Sequence, residues 1–126
     1  MARLAQVLRS ATSSKSSQYC PKQYDIIRIS FDPQMGREQA ERRPAFVLSP
    51  EKYNQISRLC ILCPITNQVK GYPFEVIVPD GWKTTGVVLS DQIKSFDWLA
   101  RNAELIESRP DLAPEIIGKI RAILGF

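Results

Sequence analysis

At 126 residues the chain has room for one domain, which at this size buries roughly two-thirds of the surface its unfolded chain exposes. It is 44% apolar and 24% charged, with 17 Lys and Arg against 13 acids, and no apolar run approaches the ~20 residues of a membrane span. It contains no histidine, which excludes imidazole acid–base pairs, a Ser-His-Asp triad and any His-containing zinc site.

Residues 1–18 are basic and serine-rich with no acid, and are expected to be a disordered leader or the product of a start placed too far upstream. The domain is expected to run from 19 to 126. From Tyr24 the pattern is that of a strand: Ile27, Ile29 and Phe31 share one face, Arg28 and Ser30 the other. A long polar loop follows, Asp32 to Pro44. Ala45–Leu48 is a short apolar run suited to a strand covered on both sides. Glu51–Arg58 suits a short helix.

Leu59–Ile65 reads as a buried strand carrying Cys60 and Cys63. Positions i and i+3 of a strand point to opposite faces, so this C-x-x-C pair is expected in the core and not on one metal. With Cys20 the thiols number three, and an odd count without a secretory signal favours a reducing, cytoplasmic setting. Further strands are expected at Phe74–Val78 and Gly86–Ser90, each bounded by Pro, Gly, Asn or Asp. Short strands at such spacing point to an antiparallel sheet or small barrel. Near the end, Ile116, Ile120 and Ile123 recur at helical spacing, predicting an amphipathic helix over 114–124 with its apolar stripe on the sheet and Gly125 at its exit. The fold class is mainly β with short helices.

The 32–44 loop is long for so small a domain, and by itself reads as a solvated connection dense in acids and arginines. Taken singly, Arg43 before Pro44 fits a strand edge, Glu38 fits a pairing with Arg42, and Thr66 fits a Thr66-Asn67 turn. The order of motifs argues otherwise. The string Phe31-Asp-Pro-x-x-Gly36-x-Glu38-Gln39-x-x-x-Arg43-Pro44-Ala45-x-Val47-Leu48-Ser49-Pro50 is followed by Pro64-Ile-Thr66. Then come Lys70-Gly-Tyr-Pro-Phe-Glu-Val76 and Gly86-Val-Val-Leu-Ser-Asp-Gln-Ile-Lys-Ser95. This series resembles the MazF/PemK toxins from about Tyr19 to Gly125.

The resemblance implies a small, SH3-like bent β-barrel of the CcdB/MazF type with a C-terminal helix. It implies the toxin of a type II toxin–antitoxin system: a ribosome- and metal-independent endoribonuclease that cuts single-stranded RNA at short sequences and so inhibits translation and growth. It also implies a homodimer, and a MazE-like antitoxin whose acidic C-terminal tail covers the RNA site. No cofactor is expected.

By the same resemblance Arg43 and Thr66 are catalytic, and Glu38 supports them. RNA brings its own nucleophile, the 2′-OH, so the protein need only align it and stabilise developing charge. Arg43 suits two hydrogen bonds to phosphate oxygens, and Thr66 a further hydroxyl donor. A guanidinium of pKa above about 12 is a poor proton acceptor, which leaves the 2′-OH proton to Glu38 or water. For substrate binding, Lys70 is a candidate phosphate contact, and Gln39 and Gln68 are candidates for base edges or backbone. Gln92 and Lys94 belong to a family-like block that faces either the RNA groove or the dimer contact. Trp82 is either a stacking platform for a base or a residue packed on its own sheet or a dimer partner.

The chain departs from the family's commonest text at Leu99, often an arginine, and at Ser30, an aspartate in some relatives. The cut-site sequence is therefore not readable. The main rival is a non-catalytic poison of DNA gyrase, as the CcdB toxins are; a non-catalytic RNA-binding module is a second.

Overall fold

The computed structural model describes residues 18–31 and 41–126. Residues 1–17 and 32–40, and with them most of the expected leader and the site candidates Glu38 and Gln39, lie outside the described residues. The strands are β1 (Asp25–Ser30), β2 (Arg42–Val47), β3 (Leu59–Thr66), β4 (Glu75–Val78), β5 (Gly86–Leu89), β6 (Lys94–Asp97) and β7 (Glu104–Ser108). The helices are α1 (Glu51–Ser57) and α2 (Ala113–Leu124), the latter entered through a 3-10 turn at Pro110–Leu112. They form a 7-stranded sheet in the order β4-β5-β3-β2-β1-β7, with β6 joined to β3, and every pairing is antiparallel.

The bend of this sheet lies in β3. Leu59 to Leu62 pair with β6, whereas Ile65 and Thr66 pair with β5. Cys63 and Pro64 lie in the gap between the two partners, and Pro64 has no N–H to give to a ladder. Across its other edge β3 pairs with β2 at Ala45↔Pro64, Phe46↔Cys63 and Val47↔Leu62. A strand that changes partner at a proline turns the sheet back on itself.

Both faces of the sheet are covered. On one, Ile26, Phe46, Cys63, Ile65, Val76, Val88 and Ile116 form a core that packs α2 against the strands. On the other, Ile27, Ile29, Ala45, Val47, Cys60, Leu62 and Trp98 form a second core. The alternation expected along β1 is therefore present, with Ile26 taking the face opposite Ile27 and Ile29. Cys60 and Cys63 lie in different cores, as strand geometry requires. Burial pushes both thiols up to about 12. Asn54 of α1 is fully buried, takes a hydrogen bond from the Ser49 hydroxyl at 2.6 Å and gives two to the carbonyls of Pro21 and Ser49. Its own carbonyl accepts the Trp98 indole N–H at 2.9 Å.

Two expectations need adjustment. The stripe of α2 packs through Ile116, Ile117 and Ile120, but Ile123 and Leu124 are exposed beyond the edge of the sheet. Strands β6 and β7 were not anticipated. Lys94-Ser-Phe-Asp97 is short and polar at its ends, and β7 pairs on one side alone, leaving Leu105 exposed.

Candidate functional site

At the end of β3 that reaches β5, the sheet opens into a groove of ≈ 590 Å³, a size suited to a small polar substrate segment. Arg43, Thr66, Gln68, Lys70, Glu75 and Gln92 all line it. The pairing of β2 with β3 ends at Ala45↔Pro64, and Arg43 and Thr66 each lie two residues beyond that pair, on the groove wall. They come from distant parts of the chain, on neighbouring strands at the point where β3 turns.

Adjacent arginines of β2 take opposite roles. The guanidinium of Arg42 is tied to the Ser30 hydroxyl at 3.1 Å, the Asn102 carbonyl at 2.7 Å and the Glu104 carboxylate at 2.8 Å. It is a structural clasp between β1, β2 and the approach to β7. Arg43 faces the groove. Among the described residues its guanidinium makes one ion pair, from Nε to Glu41 at 2.9 Å, and it lies 5.8 Å from the centre of the Phe31 ring. Phe31 meets Phe96 edge-to-face at 5.0 Å, and Arg101 stacks on Phe96 at 3.8 Å. Arg101 also gives Nη1–H to the carbonyls of Ser30 and Phe31. This stack fixes the platform under Arg43. The Phe31 N–H donates to the Glu41 carbonyl at 2.8 Å.

Thr66 ends β3 half-buried, and its Oγ1 accepts the backbone N–H of Gln68 at 3.1 Å. The hydroxyl hydrogen is not used in that bond and is available for donation. The neighbouring Asn67 accepts a hydrogen bond from the Thr85 hydroxyl at 2.9 Å. Asp91 and Gln92 approach from the turn after β5, where the Gln92 N–H donates to the Leu89 carbonyl.

Two of the expected binding residues do not line the groove. The ring of Trp82 lies over the buried Arg109 guanidinium, 4.3 Å from it, and Arg109 in turn makes two 2.9 Å hydrogen bonds to Asp111. Trp82 thus rests on Arg109 and is otherwise exposed, outside the groove. Lys94 is exposed at the start of β6, opposite Leu62.

The groove also contains acids that the sequence reading did not single out for a role. Glu41 holds Arg43, and Glu75 binds the loop before β4. Glu41 could have been found from its i, i+2 spacing to Arg43 on an extended segment, which places both on one face. Glu75 had no such signal, because its partners are backbone N–H groups.

A family model described as "PemK-like, MazF-like toxin of type II toxin-antitoxin system" matches residues 22–125. The endoribonuclease toxin MazF of Escherichia coli (strain K12) is 46% identical over 113 residues, 86% of this chain and 98% of that protein. The endoribonuclease PemK of Escherichia coli is 33% identical over 105 residues, 79% of each. The crystal structure of MazF from Deinococcus radiodurans superposes with a TM-score of 0.77 at 44% identity, covering 86% of this chain and 100% of that one. A MazE-MazF crystal structure from the same organism superposes at 0.76 with 39% identity, covering 86% and 99%.

Proposed function

This chain belongs to the PemK-like, MazF-like toxins of type II toxin–antitoxin systems, and we propose that the Arg43–Thr66 groove is where it cuts RNA. The observation that supports the assignment is that Arg43 of β2 and Thr66 of β3 line one groove.

The RNA 2′-oxygen attacks the adjacent phosphorus, and the bond from phosphorus to the 5′-oxygen breaks. The products are a 2′,3′-cyclic phosphate and a 5′-hydroxyl. Arg43 donates to the non-bridging oxygens through its Nη groups, with Nε held by Glu41. Thr66 adds a hydroxyl donor to the same oxygens. Charge that builds on phosphate in the transition state meets donors already aimed at it, the arrangement by which fixed dipoles lower a barrier. The 2′-OH proton passes to Glu38 or to water, and the leaving 5′-oxygen takes a proton from water or from the guanidinium. The chain's own residues suffice for this chemistry without a metal.

Gln68, Lys70 and Gln92 contact RNA from the groove walls. Gln39 takes part from the 32–40 segment, while Trp82 and Lys94 meet only RNA that extends past the groove. The partner that silences the toxin is a cognate MazE-like antitoxin, seated on the groove through an acidic tail. The active toxin is a homodimer. The protein works in the cytoplasm, a setting that suits its free Cys20, Cys60 and Cys63. No helix among the described residues is long and apolar enough to cross a membrane.

The test is incubation of purified protein with a long, structure-poor RNA in EDTA, beside Arg43→Ala, with mapping of the cut ends. Scission at repeated short sequences leaving 5′-hydroxyl ends, lost in the variant, is the expected result. RNA left intact by antitoxin-free wild-type protein would overturn the assignment and turn attention to gyrase.

A further inference from the structure

Glu75 opens β4, pairs with Leu89 of β5, is 9% exposed and forms part of the groove wall. A carboxylate that has lost most of its water must recover hydrogen bonds from the protein. None of the ion pairs among the described residues includes Glu75. Its partners are two successive backbone N–H groups. Oε1 accepts the Gly71 N–H at 2.9 Å, and Oε2 accepts the Lys70 N–H at 3.1 Å. The Glu75 N–H in turn donates to the Tyr72 carbonyl at 3.1 Å. Residues 70–72 are therefore fastened to one residue in both directions.

The backbone is shaped for this. Gly71 has φ +79, in the left-handed region, and a Cβ there would meet nothing within 4 Å. The glycine serves the backbone angle and not a tight contact. A left-handed residue following an ordinary one lets consecutive N–H groups converge on a single anion. The other end of the segment is held by the Gln68 N–H on Thr66 Oγ1. Between these two anchors lie Gln68 and Lys70, both on the groove wall.

We propose that Glu75 is a positioning residue that holds the 67–74 loop in the one shape that offers Gln68 and Lys70 to RNA, and so governs which bases are accepted at the cut site. This rests on the RNA-cleaving reading of the groove. It also accounts for a negative charge in a groove meant for a polyanion, because both carboxylate oxygens are turned to loop N–H groups. Glutamine at this position would set an NH2 donor against an N–H donor and release one side of the loop.

In the full-length Glu75→Gln protein, the Lys70 and Gly71 amides are expected to exchange with solvent roughly tenfold faster or more. KM rises about 3- to 10-fold while kcat stays within about twofold, because loop order is bound into substrate recognition and not into the chemical step. End-mapping on a long RNA shows cuts at sites the wild type ignores. Once Gln68 and Lys70 are both alanine, the same substitution adds little. In the wild-type chain, through-hydrogen-bond couplings from the Lys70 and Gly71 amide nitrogens to the Glu75 carboxyl carbon are expected, a measurement that needs no variant to fold. Absence of both couplings, or an unchanged cut-site spectrum in a folded Glu75→Gln protein, would overturn the proposal. A fall in kcat alone would also overturn it. Wild-type protein that leaves RNA intact removes the RNA reading and the specificity role with it, while the amide data separately decide whether Glu75 holds the loop.

Discussion

Gly86 lies directly against the backbone of Thr66: a Cβ built on Gly86 would stand 2.3 Å from the Thr66 carbonyl oxygen and 3.0 Å from Oδ1 of Asn67. Gly86 also has φ +111, which L side chains rarely adopt. The first residue of β5 is thus the surface on which the proposed catalytic threonine is seated. Gly86→Ala is expected to lower stability by about 2 kcal/mol or more, from backbone strain and overpacking together. Because a displacement of about 1 Å costs on the order of 10²-fold in rate, activity should fall further than the folded fraction does. Urea unfolding and single-turnover cleavage on the same sample separate the two effects. A variant with wild-type stability would show that the backbone gives way freely here.

Arg43 is half-exposed, and its contacts among the described residues are the exposed ion pair with Glu41 and the Phe31 ring at the margin of the second core. Its replacement by alanine should therefore leave stability within about 0.5 kcal/mol and lower kcat by about 10²–10³. Arg43→Lys keeps the charge but loses the fork, and should recover only part of the rate. Equal activity in the lysine variant would reduce the role of Arg43 to simple charge attraction.

At Thr66 the hydroxyl accepts from the Gln68 N–H and keeps its own hydrogen free to donate. Thr66→Ser preserves both functions and should cleave within about fivefold of wild type, whereas Thr66→Val should lose about 10² or more. If valine and serine variants cut alike, the hydroxyl is not a donor in the reaction.

Glu41 holds Nε of Arg43 and, among the described residues, leaves the Nη groups free, but its charge would repel the phosphates of a bound RNA. Its ion pair is exposed, with about half of each side chain accessible, and such pairs contribute about 0–1 kcal/mol to stability. Glu41→Gln should therefore leave the unfolding midpoint almost unchanged. It should tighten binding of an uncleavable 2′-O-methyl RNA by about two- to fivefold at low salt, with the gain shrinking as salt is added. Fluorescence anisotropy across a salt series measures this, and weaker binding in the variant would instead make Glu41 a support for Arg43.

The buried thiols give a pH signature. Cys60 and Cys63 are raised from 9.0 to about 12 by burial. Below about pH 9 both folded and unfolded chains keep these protons, and stability does not depend on pH through them. Between about 9 and 12 the unfolded thiols ionise and the folded ones do not. Stability then falls as pH rises, by up to about 1.4 kcal/mol per unit for each thiol. Cys60→Ala/Cys63→Ala, although less stable throughout, should show a shallower loss over that window in urea titrations. An identical slope would mean that other groups cause the alkaline loss.

Much of the domain was open to sequence reasoning because its cause is local. Alternation in β1 and β3, the Ile spacing of α2 and the punctuation by Pro and Gly all follow from periods of 2 and 3.6 acting on neighbouring residues. The same period placed Cys60 and Cys63 in different cores. The family motifs named Arg43 and Thr66, since those motifs are contiguous strings. Four features came only from the fold. Strands β6 and β7 exist because β3 and β1 offer them unpaired edges, a matter of partners that lie far off in sequence. The bend of β3 at Pro64 brings β5 alongside Thr66 and so makes a groove of residues from three separate stretches of chain. Trp82 lies outside the groove because Arg109 reaches one face of its ring from β7's end. Glu75 entered because its partners are main-chain N–H groups, which every residue but proline carries and which no side-chain pattern can announce.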